Sequence, residues 1–163
     1  MPITCRILLC LSLCCVPLRT WAGTRYVATN SPSPTPPYTN WATAAHVIQD
    51  ALDAAVDGDT VLVTNGWYNV GGGDGCRVSV SNRVHLQSVN GAAVTTIVGD
   101  GDTGAVKLSG EGAALTGFTV TNGHAYGAGG IVCSGRQRVS RCVIVGNGSA
   151  GPVGTMGGGI RGG

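Results

Sequence analysis

Three basic side chains, His85, Lys107 and Arg161, sit inside short apolar strand-like runs: Val84-His85-Leu86, Val106-Lys107-Leu108 and Ile160-Arg161. Neighbours along an extended strand point to opposite faces, so Val, Leu and Ile face one way and the cations the other. Strands stacked about 4.8 Å apart would turn these cations into one ladder, a groove able to meet the carboxylates of an acidic sugar polymer. Val132, in Ile131-Val132-Cys133, interrupts the ladder, and no Asp or Glu holds an outward place on these strands. A cationic row alone lacks the acid/base pair that glycoside cleavage needs, so the residues point to binding rather than turnover. Arg136, Arg138 and Arg141 fall on one connecting segment and read equally well as a solvated cluster.

The acidic candidates lie elsewhere. Asp100 and Asp102, with Asp74 as a further contributor, could offer oxygens to Ca²⁺, which takes six to eight of them. Carboxylates on Gly-rich turns are also ordinary solvated turn residues, so Ca²⁺ is a weak expectation and no other cofactor is implied. The run Gly99-Asp-Gly-Asp-Thr-Gly104 has the spacing of a dinucleotide fingerprint. It is followed by the strand-like Ala105 to Leu108 instead of a helix, and its aspartates would repel phosphate. Cys133 and Cys142 are predicted on different walls, about 10 Å apart and beyond disulfide reach, which makes them small apolar fillers. Asn147-Gly148-Ser149 matches a glycosylation sequon, here taken as accidental.

What must position these groups is a repeat. Strand-sized motifs begin at Val61, Val84, Val106, Ile131 and Ile160, and a second motif (Val94-x-x-Ile97, Leu115-x-x-Phe118-x-Val120, Val139-x-x-Cys142-x-Ile144) keeps step with them. A recurrence of roughly 22 to 29 residues is the mark of a solenoid. Asn-Gly pairs at Asn65, Asn90, Asn122 and Asn147 mark corners. They are also strong hairpin signals, but loops rather than strands follow Gly123 and Gly148, which favours coils. Upstream, residues 23–40 read as an extended arm, Pro-rich over 30–37. In 41–59, Trp41, Ala44, Ala45, Ile48, Ala51, Leu52 and Ala55 keep helical spacing behind a cap at Thr39 or Asn40, and then comes a turn. Such a helix could cover the first coil's open core. Residues 60–163 form the coils.

Residues 1–22 read as a secretory signal peptide: a basic start ending at Arg6, ten apolar residues, and Thr20-Trp21-Ala22 for cleavage. Ten residues are too few for a bilayer, which takes about 20, so no membrane span is expected. Without Arg6 and Arg19 the chain holds eight basic and eight acidic residues, and no positive excess is left to attract nucleic acid. Only Cys76, Cys133 and Cys142 remain, too few for a disulfide framework.

Tyr26-Val27-Ala28, the segment 41–55 and Gly58-Asp59-Thr60-Val61-Leu62-Val63 resemble the cap and first rung of exported bacterial right-handed parallel β-helix proteins of the pectate-lyase-like superfamily. Leu115-Thr-Gly-Phe118-Thr-Val120-Thr-Asn122-Gly123 is similar to one of their recurring rungs. The resemblance implies an all-β right-handed parallel β-helix with a short N-terminal capping helix. It also implies chemistry on an outer strand face, with acids holding Ca²⁺ and an Arg or Lys abstracting a proton. The expected function is a secreted or cell-surface scaffold that binds polysaccharide without catalysis. The alternatives are the N-terminal part of a polysaccharide lyase or hydrolase, or a non-functional gene fragment. Ile160-Arg161 opens a rung that does not close, so missing C-terminal coils or a partner would be needed to cap that end.

Overall fold

The computed structural model describes residues 22–149 and 158–162. Apart from Ala22, the expected leader lies outside the described residues. None of the described helices is long and apolar enough to cross a membrane.

The chain winds into a β-solenoid of three walls. The first holds β1 (Thr24–Val27), β2 (Thr60–Val63), β5 (His85–Ser88), β8 (Ala114–Thr116) and β12 (Arg138–Ser140). The second holds β3 (Gly66–Tyr68), β6 (Thr95–Val98), β9 (Thr119–Thr121) and β13 (Val143–Ile144). The third holds β4 (Cys76–Val80), β7 (Gly104–Leu108), β11 (Ile131–Cys133) and β15 (Ile160–Arg161). β10 (His124–Ala125) and β14 (Gly148–Ser149) form a small ladder at one corner. Every pairing between these strands is parallel, which excludes the hairpin reading of the Asn-Gly pairs.

Alternation within each strand sends one apolar set inward. Val61, Leu86, Leu115 and Val139 are in register on the first wall. Tyr68, Ile97, Val120 and Ile144 are in register on the second, and Val78, Val106, Ile131 and Ile160 on the third. Most of them are fully buried and form one core with Phe118. The recurring motif is therefore two ladders: Val61 and Val84-His85 belong to the first wall, whereas Val106, Ile131 and Ile160 belong to the third. Three walls of similar Val-x-Leu strands look alike locally, and only the lengths of the connections tell them apart.

Residues 23–40 begin with a strand rather than an arm, because β1 pairs along its whole length with β2. The expected helix over 41–55 is also much shorter. Asn40 accepts from the Thr43 N–H and caps a single 3₁₀ turn, Trp41–Thr43. The chain then runs extended through Ala44 and bridges Ala45 to Val27, and only α1 (Ile48–Asp53) is α-helical. Ala44 and Ala45 are buried, as the spacing suggested, but Trp41 leaves the core and packs edge-on against Tyr26 at a centroid distance of 4.5 Å. Ala45 N–H donates to the Tyr26 carbonyl and the Ala45 carbonyl accepts from Ala28 N–H, so the extended stretch pairs an edge of β1 that a helix would leave open.

α1 closes the first coil. On the third wall the Gln49 side chain takes the place of a neighbouring strand: its Oε1 accepts from Ser79 N–H at 2.9 Å and its Nε2 donates to Ser79 C=O at 3.2 Å. Gln49→Ala would leave both groups of a buried residue without their partner and is expected to cost about 1–2 kcal/mol. A urea titration checks this, and an unchanged midpoint would show that the pair contributes nothing.

Candidate functional site

The outer face of the first wall is built from the residues that point away from the core. One row, set by register, runs Thr60, His85, Ala114 and Arg138; the next runs Leu62, Gln87, Thr116 and Ser140. Ala114 is short, so a dent opens between His85 and Arg138. Together with Gly112 and Arg136, the residues His85, Ala114, Thr116, Arg138 and Ser140 line a groove of about 470 Å³. Across its floor His85 Nε2 lies 2.9 Å from Thr116 Oγ1, which lies 3.1 Å from Ser140 Oγ. Three coils thus contribute to one hydrogen-bonded chain.

Electrostatically the groove is cationic. Arg136 and Arg138 are exposed, and neither makes an ion pair among the described residues. Burial holds the His85 imidazole below its ordinary pKa of 6.5, so at neutral pH it is uncharged. The groove offers two unpaired guanidiniums, two hydroxyls and an imidazole. That set binds oxyanions and hydroxyls, because guanidinium forks match carboxylate and sulfate while hydroxyls donate or accept as needed.

The predicted ladder of His85, Lys107 and Arg161 is not one surface. His85 stands on the first wall, while Lys107 and Arg161 stand on the third, on either side of Val132. Nor does Lys107 lack an acidic neighbour: its Nζ lies 3.9 Å from Asp74 Oδ2, supplied by the turn before β4. Strand parity could not reveal a partner that comes from a loop.

Asp100 is engaged within its own turn. Its Oδ1 accepts from the N–H groups of Asp102 and Thr103 and from Thr103 Oγ1, at 2.8 to 3.0 Å. Its Oδ2 lies 3.7 Å from Arg77 Nη2. These donors, led by the Asp102 N–H, hold its carboxyl down at about 2. Asp102 is exposed on the same turn, and among the described residues no three His, Cys, Asp or Glu side chains gather as a metal site. Gly104 opens β7, so the glycine-rich run joins two strands and presents no helix terminus to a phosphate. Cys133 sits beside Leu108 on the third wall, and Cys76, Cys133 and Cys142 are all free thiols. The Asn147 amide nitrogen donates to the carbonyls of Val120 and Val145, at 2.9 and 3.1 Å.

Of the Arg136, Arg138 and Arg141 cluster, the first two line the groove, whereas Arg141 takes a φ of 53° at the corner beyond β12. Thr116 and Ser140 had no place among the expected site residues. Their signal was present, since each directly follows an inward residue (Leu115, Val139) of the second motif and so must face out. Compared with protein-family models, curated proteins and solved structures, the chain matches none of them.

Proposed function

We propose that this chain is an exported β-helix scaffold that binds acidic polysaccharide on its first wall without cleaving it. The observation that supports this most directly is the pairing of Arg136 and Arg138, which make no ion pair among the described residues, with the His85–Thr116–Ser140 chain in one groove. A sugar polymer presents both of the chemistries that the groove can answer: carboxylates or sulfates for the guanidiniums and hydroxyls for the floor. A flat wall that crosses several coils suits an extended chain better than a compact solute. The leader expected at 1–22 and the likeness of the cap and rungs to the pectate-lyase-like superfamily support an extracellular or surface location in a bacterial host. Binding without cleavage is the simpler reading, because the groove lines an imidazole with arginines and hydroxyls and includes no carboxylate.

Affinity electrophoresis through gels containing polygalacturonate or a sulfated glycan tests the reading. Retardation of the wild-type protein is expected. Arg136→Gln and Arg138→Gln are each expected to weaken binding by roughly fivefold, on the order of 1 kcal/mol for an exposed charge contact. Added salt should weaken wild-type binding more than that of the double variant. A wild-type protein that migrates freely past every acidic glycan would sink the proposal. Release of unsaturated sugar from such a polymer would replace it with the lyase alternative.

A further inference from the structure

We propose that the first-wall groove takes up its polyanionic ligand together with a proton, and that His85 is the group that carries it. The inference rests on the binding reading above and adds a mode of regulation to it.

The geometry allows His85 to change charge without breaking its contacts. Its Nε2 faces Thr116 Oγ1 at 2.9 Å, and Thr116 Oγ1 faces Ser140 Oγ at 3.1 Å. A hydroxyl both donates and accepts and rotates to suit its neighbour. When the ring is charged, Nε2–H donates to Thr116, whose own proton then turns toward Ser140. The chain serves both states, and the outcome is decided by the surroundings.

Neutral side chains flank the ring on its own wall, and the charged groups lie along the lining and rim of the groove. β2 brings Thr60 and Leu62 to the outer face beside His85, neither of them charged. β8 brings Ala114 and Thr116, and β12 brings Arg138 and Ser140. Arg136 completes the lining. At the rim, the Arg83 side chain lies along Gly112, and the Glu111 carboxylate leans on Gly135 across the turn. Its half-buried position opposes a positive charge on the imidazole. A carboxylate or sulfate laid across Arg136 and Arg138 reverses that balance, because an anion close to the ring favours imidazolium.

The sign of the linkage follows. His85 has a higher pKa in the complex than in the free groove. Affinity therefore rises as pH falls through the pKa of the complex and levels off below that of the free groove. A difference of one unit between the two states corresponds to about a tenfold gain in affinity.

Dextran sulfate is the probe of choice, because its sulfates stay ionised and its own charge does not change across the range. Binding measured from about pH 8 to about pH 5 should tighten by about tenfold in the wild type and stay flat in His85→Gln. His46 and His124 remain in that variant, so a flat profile assigns the proton to His85. Calorimetry of the wild type in buffers of different ionisation enthalpy gives a reading that needs no variant. Net proton uptake on binding near the midpoint of the profile is expected. Equal pH profiles in wild type and variant, or binding without proton uptake, would overturn the inference while leaving the groove as a binding site. Absence of binding at every pH would remove both.

Discussion

Replacing Gly123 with alanine is expected to destabilise the protein by more than about 4 kcal/mol. Gly123 follows Asn122, which takes a left-handed φ of 56°, at the corner where the second wall gives way to the third. A Cβ on Gly123 would lie 1.9 Å from the Gly129 carbonyl oxygen and 2.6 Å from the Ala105 nitrogen. Both are backbone atoms, so no side-chain rotation can relieve the overlap. Both are also committed, since Ala105 N–H donates to Gly129 C=O at 2.7 Å. Gly123 itself receives from Gly148 N–H and donates to Asn147 Oδ1, which ties the corner to the next coil. Overpacking usually costs about 1–3 kcal/mol. A clash with fixed backbone exceeds that range, and a loss above about 4 kcal/mol would lower the midpoint of thermal unfolding by at least about 8 °C. Gly73→Ala is the control: a Cβ there meets nothing within 4 Å, so its cost should stay within about 0.5 kcal/mol. Circular dichroism melts of both proteins decide the matter. A Gly123→Ala protein melting with the wild type would mean that the corner can open at little cost.

The second large effect is expected at Asp59. Its carboxylate is fully buried where α1 hands over to β2, and it lies 3.1 Å from the Arg25 guanidinium. It also accepts from the N–H groups of Gly23, at 2.6 Å, and Val56, at 3.1 Å. Arg25 shares the register of inward-facing Val61, and its Nε donates to the Ala54 carbonyl at 3.2 Å. The pair thus plugs the end of the core with a charge that is neutralised in place. Asp59→Ala leaves the guanidinium and two N–H groups without their acceptor. Removing one partner of a buried pair typically costs about 3–5 kcal/mol. Asp59→Asn keeps an acceptor oxygen without the charge and should fall between alanine and wild type. The Asp59 backbone carbonyl accepts from His85 N–H at 3.0 Å, so loss of this corner should also disturb the groove. Urea unfolding followed by fluorescence measures the three proteins, and equal midpoints would rule out a stabilising role for the pair.

Both sites show where sequence reasoning stops. The solenoid itself was legible, because Val61, Leu86, Val106 and Ile131 repeat with strand parity and every one of them is buried. Which wall each strand joins was not legible. β3, with Tyr68 inward, is a three-residue strand, and Val78 and Val80 of β4 fall outside both recurring motifs. Without them Val84-His85 and Val106-Lys107 look like successive rungs of one ladder. The groove was half legible: His85 was correctly placed outward, but its partners come from the two following coils. Only the register, fixed by the lengths of the intervening loops, brings Thr116, Arg138 and Ser140 beside it. The helical spacing over 41–55 misled for a related reason. An extended pair of buried alanines followed by one and a half turns of helix reproduces the same apolar intervals as one long helix.

The Gln49 amide on β4 has a meaning beyond the hydrogen bonds that it makes. A parallel strand presents a row of donors and acceptors, and whatever pairs with it normally carries an identical row on its far side, ready for the next chain. A side-chain amide carries no such second row. In the language of polymer chemistry it is an end group and not a repeat unit: it consumes the reactive edge and offers none in return. On this wall, strand addition past the first coil meets an amide that already holds the Ser79 N–H and C=O, carried on the helix that packs over β4.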